Sequence, residues 1–148
     1  MKKITILFFI AISFLSCQKE YKYPESKLWK HGVYSKWEAK ELEGVFDGME
    51  VDVIYSPEKN NIYVGRIVEN KKKNQTLDDW MSVLQNPEKM SFWIDFKNLS
   101  RENANAALDV FDLITKKYNI HDNCFIESQD IETLKIVKER NYFTILWV

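Results

Sequence analysis

Gly48-Met49-Glu50-Val51-Asp52-Val53-Ile54-Tyr55 reads as a β-strand, with β-branched residues at Val51, Val53 and Ile54. Side chains alternate along a strand, so Glu50 and Asp52 share one face. Two acids on one face repel each other and are costly to bury unless a cation or a donor lies between them. A second strand repeats the pattern. Ser91-Phe92-Trp93-Ile94-Asp95-Phe96-Lys97 places Asp95 and Lys97 on one face and Ile94 and Phe96 on the other. Three carboxylates and an ammonium pointing inward from two strands suggest a site for a divalent metal and a phosphate. The competing reading is that both faces are the solvated sides of edge strands. The apolar residues flanking both strands favour the site.

Outward from these strands the chain alternates strand and helix. Leu28 to Val33 is a first strand, and Ser35 to Gly44 a short helix ended by glycine. Ser56-Pro57-Glu58-Lys59-Asn60-Asn61 is a turn by composition, followed by a third strand from Asn61 to Val68. After a charged loop, Thr76-Leu77-Asp78-Asp79 opens a helix with a capping-box pattern, carries Leu77, Trp80, Met81 and Leu84 at helical spacing, and stops before Pro87. The fourth strand runs from Met90 to Lys97. Leu99 or Ser100 opens a long helix with Ala104, Ala107, Leu108, Phe111, Ile114 and Tyr118 on one face. Asn123 to Ser128 is a fifth strand, Asp130 caps a last helix, and Tyr142 to Val148 is the last strand. Alternation of this kind predicts a parallel sheet with helices packed outside it. The expected class is α/β, a (β/α) TIM-barrel-type fold, incomplete at about six strands of the usual eight. Such barrels carry their chemistry at the C-terminal strand ends, where Glu50, Asp52, Asp95 and Lys97 fall. With only four glycines and no Gly-rich phosphate loop, nucleotide-binding α/β folds are disfavoured.

The N-terminus reads as an export signal. Lys2 and Lys3 precede an apolar run from Ile4 to Leu15, too short for a membrane span with those flanks. Phe14-Leu15-Ser16-Cys17 resembles a bacterial lipobox, in which Cys17 is lipidated and begins the mature chain; ordinary cleavage nearby is the alternative. Residues 1–16 are then the signal peptide, 17–27 the lipidated cysteine and a polar tether, and 28–148 the barrel-type domain. The expected location is the bacterial cell envelope, membrane-anchored by lipid, with the outer membrane or surface as candidates.

Removing residues 1–16 takes the formal net charge from −1 to −3, which gives no support for nucleic-acid binding. Cys124 is then the single remaining thiol. It sits in the apolar run Asn123-Cys124-Phe125-Ile126 and reads as buried core rather than as a nucleophile served by His121. Trp37 and Trp80 read as helix-packing residues, Trp93 as lining the barrel interior below the site, and Trp147 as a weaker candidate to face a ligand. Lys71-Lys72-Lys73 is a solvated loop or a contact to anionic lipid headgroups, each lysine contributing about 1 kcal/mol near such a surface.

His31-Gly32-Val33-Tyr34-Ser35, Gly48-Met49-Glu50-Val51-Asp52-Val53, Thr76-Leu77-Asp78-Asp79-Trp80 and Trp93-Ile94-Asp95-Phe96-Lys97 fall in an order that resembles the glycerophosphodiester phosphodiesterase-like superfamily. The resemblance covers residues 28–148 and is closest to the branch of menorin-like and bacterial hypothetical proteins. It implies a TIM barrel that cleaves phosphodiesters with bound Ca²⁺ or Mg²⁺. It further implies that Glu50 and Asp52 are the Glu-x-Asp metal pair and Asp95 the third metal ligand. Lys97 is the lysine beside it and His31 the first catalytic histidine. Hard oxygen ligands suit either cation, and an imidazole suits proton transfer at a phosphoester oxygen.

Two departures stand against the resemblance. The superfamily uses a second histidine after the third strand, and the corresponding stretch Tyr63-Val64-Gly65-Arg66-Ile67-Val68-Glu69-Asn70 has none. Arg66 falls near that position and can hold a phosphate, but it cannot shuttle protons. The chain also has two strands fewer than a closed barrel and about 130 residues where barrels usually have at least about 200. The expectations are therefore a metal-dependent phosphodiester hydrolase acting on glycerophosphodiesters or lipid headgroups and impaired by the lost histidine, a non-catalytic cation- or anion-binding protein, or a truncated inactive fragment. An oligomer that covers the open sheet edges is a further expectation.

Overall fold

The computed structural model of the chain describes residues 28–66 and 75–148. The signal peptide, Cys17 and the tether expected over residues 1–27 lie outside the described residues, as do Lys71-Lys72-Lys73 and the end of the strand expected to reach Val68. The elements in order are β1 (Trp29–Lys30), α1 (Lys36–Leu42), β2 (Gly48–Ser56), β3 (Asn61–Val64), α2 (Leu77–Met81), β4 (Ser91–Phe96), α3 (Ala104–Tyr118), β5 (Cys124–Ser128), α4 (Ile131–Glu139) and β6 (Phe143–Leu146).

β1, β2, β4, β5 and β6 lie side by side, in that order and all parallel. With the helices between them this is an α/β fold of incomplete TIM-barrel type. The sixth strand corrects the expectation of a wholly parallel sheet. β3 pairs antiparallel with β2, from Val53 opposite Val64 to Ser56 opposite Asn61. The physical reason is the connection. A parallel return needs a crossover of a dozen or more residues, and only the turn around Pro57 and Asn60 joins these strands. Asn60 takes the left-handed conformation (φ 45°) that lets the hairpin reverse.

β1 and β3 share one edge of β2. β1 pairs at Gly48 and Met49, β3 at Val53 to Ser56. Between them Val33 N–H donates to Glu50 O (3.0 Å) and Gly65 N–H to Asp52 O (2.8 Å). The segment after β1 and the segment after β3 are thus both brought against the middle of β2, where the two acids sit.

The two faces of the sheet differ in kind. Met49, Val51, Val53, Phe92, Ile94, Phe96, Cys124 and Ile126 are buried on the face covered by helices. There Phe92 meets Trp80 of α2 edge-on (6.2 Å between ring centroids) and Phe96 meets Phe111 of α3 (6.0 Å). Phe111 is fully buried, so its truncation to Ala is expected to cost about 3–5 kcal/mol. Cys124 belongs to this core. Its thiol donates to Ile120 O (3.2 Å), and burial pushes its pKa up, away from reactivity. His121 bonds Asp122 and Arg140 O instead.

The opposite face is layered by register. Glu50, Trp93, Phe125 and Phe143 align across four strands, and Asp52, Asp95 and Glu127 align in the next layer. Trp29 fills the space below, edge-on to Trp93 (6.4 Å) and Phe125 (5.7 Å). Gly48 makes room for it, since a Cβ there would lie 2.6 Å from the Trp29 ring. An aromatic floor therefore supports a layer of carboxylates. Trp93 lies inside as expected. Trp37 does not pack as expected: α1 turns it outward, 61% exposed, with the amines of Lys36 and Lys40 over its ring. The capping pattern at Thr76 is half realised. Its hydroxyl accepts from Asp79 N–H (3.0 Å), while the Asp79 carboxylate pairs with Lys36 (2.8 Å).

Candidate metal centre

Glu50, Asp52 and Asp95 each offer a carboxylate oxygen, and these atoms lie within 4.8 Å of one another. The side chains of Glu50 and Asp52 are nearly fully buried, and that of Asp95 is mostly so. Strand alternation alone puts them there: two successive inward positions of β2 stand beside one of β4, with Asp52 directly opposite Asp95.

Each acid has its own set of donors. Glu50 Oε2 accepts from Gly32 N–H (2.6 Å) and lies 3.4 Å from His31 Nε2. Gly32 sits at φ +74°, a conformation that glycine adopts without strain. Glu50 Oε1 is buried with no hydrogen-bond partner among the described residues. Asp52 Oδ2 accepts from the Tyr34 hydroxyl and from Arg66 Nε (2.7 Å), while its Oδ1 is 2.8 Å from Lys97 Nζ. Lys97 also donates to Asp95 Oδ2. The fourth acid, Glu127 of β5, stands opposite Asp95 and accepts from Trp93 Nε1 (2.5 Å) through Oε2. Its Oε1 is likewise buried and unpartnered.

The ionisation follows from these partners. Burial by itself would raise Asp52, but hydrogen bonds from Arg66, Lys97 and Tyr34 outweigh it and hold the carboxyl down at about 2. Burial raises Glu50 above the ordinary carboxylate range, against the opposing pull of the Gly32 amide and His31. Asp95 is raised by burial despite Lys97, and Glu127 is raised by burial and by the Asp95 charge. Lys97 is held protonated by Asp52 and Asp95, which overcome its partial burial. Among the described residues, four carboxylates thus face two fixed cations, Lys97 and Arg66.

That imbalance fits a divalent cation. Ca²⁺ binds oxygens at about 2.4 Å and Mg²⁺ at about 2.1 Å, so ligands on opposite sides of either ion stand about 4–5 Å apart. The cluster of Glu50, Asp52 and Asp95 has that span, and the unpartnered Glu50 Oε1 is an oxygen such an ion would satisfy.

Of the residues singled out in the sequence, His31, Glu50, Asp52, Arg66, Asp95 and Lys97 all converge here. Cys17 lies outside the described residues. Three contributors were missed: Glu127, the Tyr34 hydroxyl and the Gly32 amide. Glu127 carried a readable signal, since Cys124 and Ile126 facing the helices send Phe125 and Glu127 to the acidic face.

The fold has a counterpart among solved structures. It is similar to the crystal structure of a glycerophosphodiester phosphodiesterase from Parabacteroides distasonis ATCC 8503, with a TM-score of 0.61 and 11% sequence identity. The match covers 80% of this chain and 65% of that one, so the chain spans under two thirds of that protein's length. At this identity the likeness is one of fold. No family model matches the sequence, and neither does any curated protein. Fold and geometry together define an α/β protein of incomplete TIM-barrel type, similar in fold to that structure, with an acidic cluster suited to a divalent metal.

Proposed function

We propose that this protein binds a phosphodiester at a Ca²⁺- or Mg²⁺-loaded centre and hydrolyses it slowly, its substrates being glycerophosphodiesters or lipid headgroups. The observation that carries the reading is the convergence of Glu50, Asp52 and Asp95 with Lys97, Arg66 and His31 on one face of a parallel sheet. Glu50, Asp52 and Asp95 would hold the cation, which supplies charge stabilisation for a phosphoryl oxygen. Neutralising Asp52 in this way relieves Lys97 and Arg66 of that task and leaves their charge for the phosphate.

His31 is the proton-transfer group of this reading. It is largely exposed, at the edge of the cluster beside Glu50, where an incoming ester oxygen can reach it. The chain's other histidine, His121, belongs to a separate network with Arg140 and Tyr142. One imidazole must then both activate the attacking oxygen and protonate the leaving one, or leave one task to water. Losing one general acid or base typically costs about 10²–10⁴-fold. Arg66 on Asp52 favours a second reading, ligand binding with no turnover, because a guanidinium cannot exchange the proton. Turnover of a glycerophosphodiester by the metal-loaded protein, and its loss in His31→Ala, separates the two readings. Metal-dependent hydrolysis that survives His31→Ala would move the proton-transfer role elsewhere.

The same proposal places the protein at a bacterial envelope membrane through acylated Cys17, next to lipid-derived substrates. Cys17→Ser is expected to shift it from the membrane to the soluble fraction; unchanged retention would count against the anchor. Placement in the menorin-like branch rests on the His31-to-Ser35 opening and remains part of the proposal.

A further inference from the structure

The two acids of β2 are held by one short connection, the residues just after β1. Val33 pins it, being fully buried and donating its N–H to Glu50 O (3.0 Å). The residues on either side of Val33 turn to the carboxylates. Gly32 N–H donates to Glu50 Oε2 (2.6 Å), and the Tyr34 hydroxyl donates to Asp52 Oδ2. The two lie close together, since a Cβ on Gly32 would stand 3.6 Å from the Tyr34 ring. A single stretch of chain therefore gives a neutral donor to one oxygen of each acid.

The same oxygens collect the remaining donors of the pair. His31 Nε2 is 3.4 Å from Glu50 Oε2, and Arg66 Nε donates to Asp52 Oδ2 (2.7 Å). What is left is one oxygen per acid. Glu50 Oε1 is buried without a partner among the described residues, and Asp52 Oδ1 faces the Lys97 amine at 2.8 Å. The two oxygens of a carboxylate share one carbon and one plane, so donors that fix one also fix the aim of the other. The divalent cations differ in what this permits. Mg²⁺ takes single oxygens in a near-ideal octahedron, whereas Ca²⁺ accommodates more ligands and readily takes both oxygens of one carboxylate.

We infer that Tyr34 is a positioning residue that restricts Asp52 to one-oxygen coordination, as the Gly32 amide restricts Glu50, and that this raises Mg²⁺ binding relative to Ca²⁺. The inference rests on the metal reading of Glu50, Asp52 and Asp95. Tyr34 acts through Asp52, not on the ion. A neutral hydroxyl suits that task, because it orders the carboxylate without adding a positive charge that opposes the cation. The Arg66 side chain is 65% exposed and free to turn to a phosphate, and the Tyr34 bond then keeps Oδ2 occupied.

Isothermal titration of Mg²⁺ and, separately, of Ca²⁺ into the full, chelator-stripped chain tests this in the parent, in Tyr34→Phe, and in Tyr34→Phe combined with Arg66→Ala. Tyr34→Phe keeps the ring beside Gly32 and removes one oxygen. The readout is the ratio of the two affinities, because a loss of folded protein or of one positive charge moves both ions alike. The ratio of Mg²⁺ to Ca²⁺ affinity is expected to fall in Tyr34→Phe and to fall on the order of tenfold in the double variant, the low end of what removing an orienting partner of a metal ligand costs. A ratio that stays constant or rises across the three proteins overturns the positioning role and leaves the metal centre standing. Binding of neither ion by the folded parent overturns the metal reading as well.

Discussion

Glu50→Gln should stabilise the metal-free protein, although Glu50 is one of its most buried side chains. Substitutions at such positions usually destabilise by about 0.5–3 kcal/mol. Here the native residue carries an unpartnered oxygen, Oε1, and the charges of Asp52 and Asp95 oppose its ionisation. Leaving a buried polar atom unsatisfied costs about 1–3 kcal/mol. Glutamine keeps the acceptor for the Gly32 amide and puts an NH₂ donor among carboxylates. What it loses is the 3.4 Å contact with an exposed His31, worth little in water. The net gain is about 1 kcal/mol at neutral pH in chelator, or about 3–6 °C in Tm for a domain of this size. Adding Ca²⁺ or Mg²⁺ at about 100 times its Kd should stabilise the native chain by about 2.7 kcal/mol and the variant far less. The order of the two melting temperatures therefore reverses on metal addition. Differential scanning calorimetry with and without metal reads this directly. A variant less stable than the parent in chelator, or equal metal stabilisation of both, would refute the reasoning.

Three further outcomes follow from the same geometry. The raised Glu50, Asp95 and Glu127 contribute stability that is complete below the ordinary carboxylate range and lost as pH rises through their folded values, so the metal-free Tm should climb as pH falls from neutral toward about 4. Asp52 acts oppositely, its contribution being lost as pH falls through about 2, so the Tm should drop again there; a steady decline from neutral pH would contradict the first sign, and no drop near pH 2 the second. Gly48→Ala should cost about 1–3 kcal/mol and shift the near-ultraviolet tryptophan signal, because its Cβ collides with Trp29; an unchanged Tm and spectrum would show that Trp29 does not depend on that gap. Arg66→His should raise the rate of glycerophosphodiester hydrolysis in the metal-loaded protein by restoring an exchangeable proton beside Asp52, and a rate no higher than the parent's would argue against a missing second imidazole as the defect.

The parts of this structure that follow a fixed period were legible in the sequence. Glu50, Asp52, Asp95 and Lys97 could be placed on one face because strands alternate strictly, and β2 and β4 are long enough to show it. The same rule applied to β5 would have found Glu127, but five residues ending in Glu-Ser look like a strand running out into a loop. β3 was misassigned to the parallel sheet although the four residues between Ser56 and Asn61 leave no room for a crossover. Trp37 stands on a seven-residue helix with a narrow buried stripe, here only Ala39, two positions away and so on another face. The meeting of Tyr34 and Gly32 on the two acids was not legible, and Arg66 was set near the site by the resemblance alone. Their convergence depends on β1 and β3 sharing one edge of β2, a property of the folded sheet rather than of any local pattern.

Isothermal titration of Ca²⁺ or Mg²⁺ into the folded, chelator-stripped protein probes the metal centre most directly. Saturable binding of one ion per chain, abolished in Glu50→Gln and in Asp95→Asn, is the expected result. No binding at millimolar metal, in a sample whose fold is intact by circular dichroism, would mean that side chains such as Lys97 and Arg66, and not a metal, balance these carboxylates.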